Sequence, residues 1–433
     1  MSAILAVCGT AFCAMVSDGR YVEEPITGEK PHILKNDLPK VRKINRNVVV
    51  GFAGDTLAAV QIINAVDEYQ TQYLTLEKVV KILREKAATV SVQPVGVRLI
   101  VGNARRREVV PLLERARREG RALCAVEDLT SAPFEPLDVL ANEGHTRAVM
   151  KIQEGCDNRC AYCIIPEVRG PIRSRSLSDV AAEARALGRA GYREVVLTGI
   201  HLASYGRDFR DGTTLLDAIE AVCAAQGVER VRLGSLEPAW IDGPYAQRMA
   251  RSEKLCPQFH LSLQSGCDRV LGAMRRRYTT AQFRRAVQSL RESFPGCAVT
   301  TDLIVGFPGE TEEEFSESLA FLKTCGLSMF HIFPYSRRKG TPAADMPGQI
   351  PNAVKERRAA EAASAAAELE AAYHASMLGT TQQVLFEQEE NGLYAGHAMN
   401  YVKVYVQAAQ LHNELRAVRV TDLCRDGVFG ELE

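Results

Sequence analysis

The chain has 433 residues, 46% hydrophobic and 24% charged, which suits a globular protein of two or three domains. Its 53 basic and 53 acidic residues cancel. That excludes a global electrostatic pull toward nucleic acid or membrane, so any RNA contact must come from local basic patches. No apolar run approaches the ~20 residues of a membrane span, and the first twenty residues carry no basic n-region. A cytoplasmic protein with no membrane partner is expected.

In chain order, residues 1–93 read as an atypical α+β segment. Short apolar strands (SAILAVCG, AFCAMVSDG, KVRKINRNVVVGFAGD) precede two helical stretches, TLAAVQIINAVDEYQ and TLEKVVKILREKAATV. A junction falls near Gln93–Pro94. Residues 94–147 then hold a strand, GVRLIVGN, a basic helix, RRREVVPLLERARREG, and a connecting loop. From 148 to 378 strands at 193–201, 229–237, 258–266, 297–306 and 328–336 alternate with helices. Thr311 and Glu314 have capping-box spacing at the start of a helix over 311–325. Strands and helices alternating at roughly 30-residue intervals predict an α/β class, either a βα barrel or a doubly wound sheet. Such folds carry their chemistry at the C-terminal ends of the strands. An Ala/Glu-rich helix over 352–378 reads as a rigid spacer. The short strands of 379–433 predict a small β-barrel of the OB-like type.

Three of the twelve cysteines, Cys156, Cys160 and Cys163, lie within eight residues. In a large chain without a secretion signal that density favours metal ligation over disulfides. Three thiolates on one loop suit three irons of a 4Fe–4S cube and leave the fourth iron open. S-adenosylmethionine can chelate an open iron through its amino and carboxylate groups, and electron transfer then cleaves the sulfonium to a deoxyadenosyl radical. A zinc knuckle is the alternative, but it wants four ligands, and no second CxxC pair or HxxxH is present.

The cysteine motif followed by βα alternation resembles the radical S-adenosylmethionine superfamily. The segments KIQEGCDNRCAYCIIPEVRGPIRSRS, VVLTGIHLASYG, HLSLQSGCDRVLGAMRRRYT, TTDLIVGFPGETEEEF and HIFPYSRRKGTPAA resemble the tRNA methylthiotransferases within it. The TGIH and FPYSRRKGTPAA wording is similar to the subgroup acting on N6-threonylcarbamoyladenosine beside the anticodon. This resemblance covers about residues 96–433. It implies a partial (βα)6 barrel and a C-terminal TRAM-like β-barrel that grips tRNA. It also implies methylthiolation of adenine carbon 2, consuming two S-adenosylmethionine molecules per turnover.

By matching position, Thr198 and Gly199 would approach the methionine amino group, and Ser235 and Glu237 the adenosyl part. Gln264, Ser265, Asp302 and Gly306 complete the implied cofactor set, while no catalytic side chain is assigned. Basic clusters at Arg173 and Arg175, at Arg275, Arg276 and Arg277, and at Arg337, Arg338 and Lys339 are expected to ring the barrel mouth and meet phosphates of the tRNA anticodon stem-loop. Tyr278, Phe333 and Tyr335 nearby read either as base-stacking groups or as core. A monomer served by a reducing partner such as flavodoxin or ferredoxin is expected.

The first 93 residues depart from that family, whose N-terminal domain carries three more cysteines for a second cluster. The expected LGC, NTC and TGCYA wording is absent. Cys8, Cys13 and Cys124 have unmatched contexts and read as small hydrophobes, with an improvised second cluster as the alternative. This segment resembles instead the first half of a proteasome-like N-terminal nucleophile hydrolase. That implies a Ser2 nucleophile after removal of Met1, with Asp18 and Lys40 at matching positions. A Ser2-dependent hydrolase and a non-catalytic tRNA-binding iron–sulfur protein are therefore the two competing readings.

Overall fold

In the computed structural model the described residues are the backbone of 2–7, 12–17, 20–25, 41–45, 48–53 and 99–100, and residues 101, 104–120, 123–136, 146–424 and 426–433 in full. The chain divides into two compact units after Val126. In the first unit, β1 (Ser2–Val7) pairs antiparallel with β5 (Val48–Ala53), which also pairs with β4 (Val41–Asn45). Strands β2 (Phe12–Ser17) and β3 (Arg20–Pro25) form a hairpin. The parallel strands β6 (Leu99–Val101) and β7 (Leu123–Ala125) flank the helix Val109–Glu119. Leu112 and Ala116 are its buried face, and Gly120 ends it in the left-handed conformation at φ +60°. The sequence-predicted helices before residue 93, Cys8, Asp18 and Lys40 lie outside the described residues, and of Ser2 and Cys13 only the backbone is described. Cys124 is exposed.

The second unit is built on six parallel strands. Strands β8 (Arg147–Lys151), β11 (Glu194–Thr198) and β12 (Arg230–Leu233) pair in register, as do β13 (Gln258–Gln264), β14 (Ala298–Val305) and β15 (Met329–Pro334). The Leu236–Leu261 bridge joins the two triplets, so the strand order follows the chain. A two-residue pair, β9 (Gln153–Glu154) with β10 (Arg173–Ser174), brackets the cysteine loop. Helices between the strands bury their apolar stripes on one face of the sheet. Val180, Ala184 and Leu187 of helix Leu177–Arg189 do so, as do Phe283, Val287 and Leu290 of helix Thr280–Ser293. The expected βα barrel is present as a six-stranded partial barrel, and β8 is its first strand. Thr198 therefore ends the second strand, not the first. The capping box of Thr311 and Glu314 is formed at helix Glu312–Thr324.

The helix Asn352–Ser376 is not a free spacer. Ala362, Ala365 and Ala366 are buried in the main core. Arg358 reaches the buried Glu310 at 2.8 Å, while Glu310 accepts the Gly306 amide at 2.6 Å. Alanine has no long side chain to hold a helix off its neighbour, so the small residues allow close packing that composition alone presents as solvated. Beyond it, β16 (Thr381–Glu390), β17 (Leu393–Ala398), β18 (Lys403–Val406), β19 (Leu415–Cys424) and β20 (Gly427–Leu432) close into a five-stranded barrel in the order β16-β17-β18-β20-β19. Its core contains Val384, Phe386, Val404 and Val418.

The small barrel plugs the N-terminal end of the six-stranded one. Glu194 is fully buried and bonded by Arg230 at 2.8 Å and Arg232 at 2.7 Å. The same arginines donate onward to the carbonyls of His397 (3.0 Å), Gln383 (3.1 Å) and Met399 (2.9 Å). The Tyr401 ring lies under both Arg147 and Arg232, 5.1 and 4.7 Å from the guanidinium carbons. Burial opposes ionisation of Glu194, but the charges and hydrogen bonds of Arg232 and Arg230 outweigh it and bring its carboxyl down to about 2. Removing this carboxylate leaves two buried guanidinium groups uncompensated. Glu194→Gln should cost about 3–5 kcal/mol in urea unfolding at neutral pH. Because the carboxyl titrates lower in the folded chain than in the unfolded one, its contribution is complete above about pH 4.5 and is lost as the pH falls toward about 2. The variant should lack that acid-limb loss.

Candidate cluster and cofactor site

The cysteine loop lies beyond the C-terminal end of β8 and is tied at several backbone points. Gly155 turns the chain at φ +73°, where an added Cβ would sit 1.8 Å from the Pro171 carbonyl oxygen. The Cys156 amide donates to the Gly170 carbonyl at 3.0 Å, and the Ala161 amide to the Met274 carbonyl at 2.9 Å. Cys160 is buried, and Cys156 and Cys163 are half-buried. All three line a cavity of about 170 Å³, with Ser235, Glu237, Ser262 and Gln264 from the ends of β12 and β13.

Polar groups converge on this cavity. Arg276 donates to the Cys160 sulfur at 3.1 Å and to the Tyr278 hydroxyl at 2.8 Å, and lies 3.9 Å from the Glu237 carboxylate. Asn158 donates to Glu237 at 2.9 Å, and the His201 imidazole bonds the same carboxylate oxygen. Burial alone would raise the Glu237 carboxyl, yet the hydrogen bond and charge of His201 and the charge of Arg276 bring it down to about 2. Burial pushes the Cys156 thiol up to about 11 and also raises Cys163. At neutral pH these thiols stay protonated until a cation displaces the protons.

The donor set fits an iron–sulfur cluster. Three sulfurs share one wall of a cavity, a guanidinium offsets their charge, and an ionised carboxylate and an amide face them. Among the described residues no three His, Cys, Asp or Glu side chains converge closely enough to hold a single ion. The zinc-knuckle alternative requires such convergence.

The other sequence-predicted positions divide. Ser235, Glu237 and Gln264 line the cavity. Thr198 accepts the Ile152 amide at 3.0 Å through its carbonyl, and Gly199 packs against Gln153, where a Cβ would meet that side chain at 2.8 Å. The next two residues, Ile200 and His201, are the ones that reach the cavity. Ser265 instead bonds Ser318 at 3.1 Å beneath the sheet. Gly306 makes a turn at φ +71° under Lys355. Asp302 pairs with His260 at 3.1 Å and is not part of the cavity lining.

Of the basic clusters, Arg275, Arg277, Arg337, Arg338 and Lys339 are exposed. Arg173 and Arg175 are buried, bonded to the Leu129 carbonyl at 3.1 Å and to Glu183, so they do not face solvent as expected. Arg276 belongs to the cavity rather than to the outer surface. Tyr278 and Tyr335 are buried, whereas Phe333 is exposed. Sequence reasoning missed Asn158 and His201. Both stand inside motifs already singled out, the cysteine loop and TGIH, but neither residue type signals a cofactor contact by itself.

This fold and site define a radical S-adenosylmethionine protein, and the description "Radical SAM superfamily" matches residues 150–322. A threonylcarbamoyladenosine tRNA methylthiotransferase of Bacillus subtilis is 40% identical over 73% of this chain and 71% of the relative. A ribosomal protein uS12 methylthiotransferase of Desulforudis audaxviator is 41% identical over 58% of this chain and 56% of that protein. A tRNA-2-methylthio-N(6)-dimethylallyladenosine synthase of Caldicellulosiruptor saccharolyticus is 33% identical over 77% and 71%. The chain belongs to the methylthiotransferase family of radical S-adenosylmethionine enzymes.

Anaerobic reconstitution with iron and sulfide should load about four irons per chain. Cys156→Ala, Cys160→Ala and Cys163→Ala should each bring bound iron and charge-transfer absorbance close to zero. About eight irons in the parent chain would instead reveal a second cluster.

Proposed function

We propose that this chain adds a methylthio group to carbon 2 of N6-threonylcarbamoyladenosine beside the tRNA anticodon. The observation that carries the reading is the cavity shared by Cys156, Cys160 and Cys163 with Glu237, in a chain 40% identical to a protein named for that reaction. In this reading the three thiolates ligate one 4Fe–4S cluster and S-adenosylmethionine occupies the adjoining space. When bound, the cluster supplies the electron that cleaves the sulfonium. Glu237, oriented by Asn158 and His201, accepts hydroxyl or amino protons of the adenosyl part, with Ser235 and Gln264 beside it. Arg276 holds the Cys160 sulfur and keeps negative charge from accumulating in a partly buried cavity.

Access for RNA is from the strand C-termini, because the small barrel occupies the opposite end. Arg275, Arg277, Arg337, Arg338 and Lys339 are the exposed cations that meet phosphates of the anticodon stem-loop. The C-terminal barrel acts as a TRAM-like RNA-gripping domain. A flavodoxin or ferredoxin supplies electrons to a monomeric enzyme. The competing hydrolase and non-catalytic readings have no support from the relatives.

Nucleosides from the tRNA of a strain lacking its own methylthiotransferase provide the test. Expressing the chain should restore 2-methylthio-N6-threonylcarbamoyladenosine, and Cys160→Ala should not; an unchanged nucleoside profile with the parent chain would overturn the reading. Glu237→Gln should raise the S-adenosylmethionine Kd by about tenfold or more with iron content retained, since hydrogen bonds to charged groups contribute about 1.5–3 kcal/mol. Replacing Arg337, Arg338 and Lys339 by alanine should weaken all tRNAs alike. It should also lower the salt slope of binding by about one unit per lost phosphate contact, read from Kd at several salt concentrations.

A further inference from the structure

Along β13–β15 one face packs on the helices: Phe259, Leu261, Val299, Leu303 and Phe330 are buried in the main core. The alternate positions face the barrel interior, and there the sequence places His260, Asp302 and His331. Asp302 stands opposite His331 in the strand register. His260 Nε2 lies 3.1 Å from the Asp302 carboxylate, and the two imidazole rings are 5.9 Å apart. His260 Nδ1 is buried and has no hydrogen-bond partner. A buried polar atom left unpaired costs about 1–3 kcal/mol, which a bound group can recover. With Nε2 bonded to Asp302, Nδ1 is the ring nitrogen left to meet a bound group. His331 is exposed to the interior, and Phe333, two residues along the same face, is 52% exposed.

This group is next to the chemistry. Ser262, two positions after His260 on the same face of β13, lines the cluster cavity. Two residues of strand span about 7 Å. In adenine, carbon 2 and N6 flank N1 on one edge, so a substituent several atoms long on N6 of a base whose carbon 2 faces the cofactor spans the about 7 Å to the histidines.

We infer that His260, Asp302 and His331 form the pocket that reads the N6 substituent of the substrate adenosine, and that they select an acidic, hydroxylated substituent over a hydrocarbon one. The inference rests on the proposed function and specifies its substrate class. Threonylcarbamoyl offers N–H and hydroxyl groups for His260 Nδ1 and a carboxylate for His331. A dimethylallyl chain, the substituent named for the relative from C. saccharolyticus, offers neither. It would cover both imidazoles with hydrocarbon and leave their nitrogens unpaired, which disfavours it.

The test measures binding of three anticodon stem-loops that differ only at the N6 position: threonylcarbamoyl, dimethylallyl and unsubstituted. The reconstituted protein should bind the threonylcarbamoyl RNA about tenfold or more tightly than the other two. His331→Ala and His260→Leu should each remove that preference, with the unsubstituted RNA's Kd, the iron content and the S-adenosylmethionine Kd unchanged. His331→Gln, which keeps an N–H donor, should restore part of it. Equal affinities for the three RNAs in the parent protein, or an intact preference in both variants, would overturn the inference. A histidine-dependent preference without any methylthio product would instead overturn the proposed function and leave this pocket standing.

Discussion

Glu194 is the constraint on which the second unit depends. Its carboxylate has no exposure, and it is tolerated only because Arg230 and Arg232 bracket it from the adjacent strand. Those arginines then have donors left over, and they use them on carbonyls of the C-terminal barrel. One buried charge thus dictates where the small barrel docks. Docking there seals the lower end of the partial barrel and leaves the strand C-termini as the working face.

The working face obeys the same rule of charge compensation. Three sulfurs crowd one loop, and burial, helped by the neighbouring sulfurs, raises the Cys156 and Cys163 thiols. Arg276 answers with a guanidinium shared between Cys160, Tyr278 and Glu237. Glu237 stays ionised because His201 and Arg276 face it. Each group is expensive to bury singly and stable in the set, which explains why the residues come from four separate strand ends. Beneath them, His260 and Asp302 form a second polar layer, while Phe259, Leu261, Val299 and Leu303 of the same strands pack on the opposite face.

Much of this was legible in the sequence, because periodicity and spacing report local physics. The strands from 193 to 336 sit where apolar runs placed them, and the Thr311 capping box is formed. Of the six parallel strands β8 alone escaped notice, since Arg147–Lys151 alternates charged and apolar residues beside an irregular loop. The Asn352–Ser376 helix was read correctly as helix and wrongly as spacer: alanines look solvated in composition yet permit tight packing on β15.

The candidate site divides along the same line. Cys156, Cys160 and Cys163 were legible because ligand chemistry demands that residue type at that spacing, and neighbours in sequence stay neighbours in space. Arginines carry no such mark. Arg173 and Arg175 are buried within the fold, Arg276 turns toward a cysteine, and Arg337 and Arg338 face solvent, although all five look alike in a basic run. Ser265 and Gly306 likewise stand near strand ends but serve packing. What the sequence by itself determined is the class of chemistry and the succession of strands and helices. Which charges pair, which face the cavity and which barrel end stays open were decided only by tertiary structure, because a charge's partner is chosen by burial and approach between segments far apart in the chain.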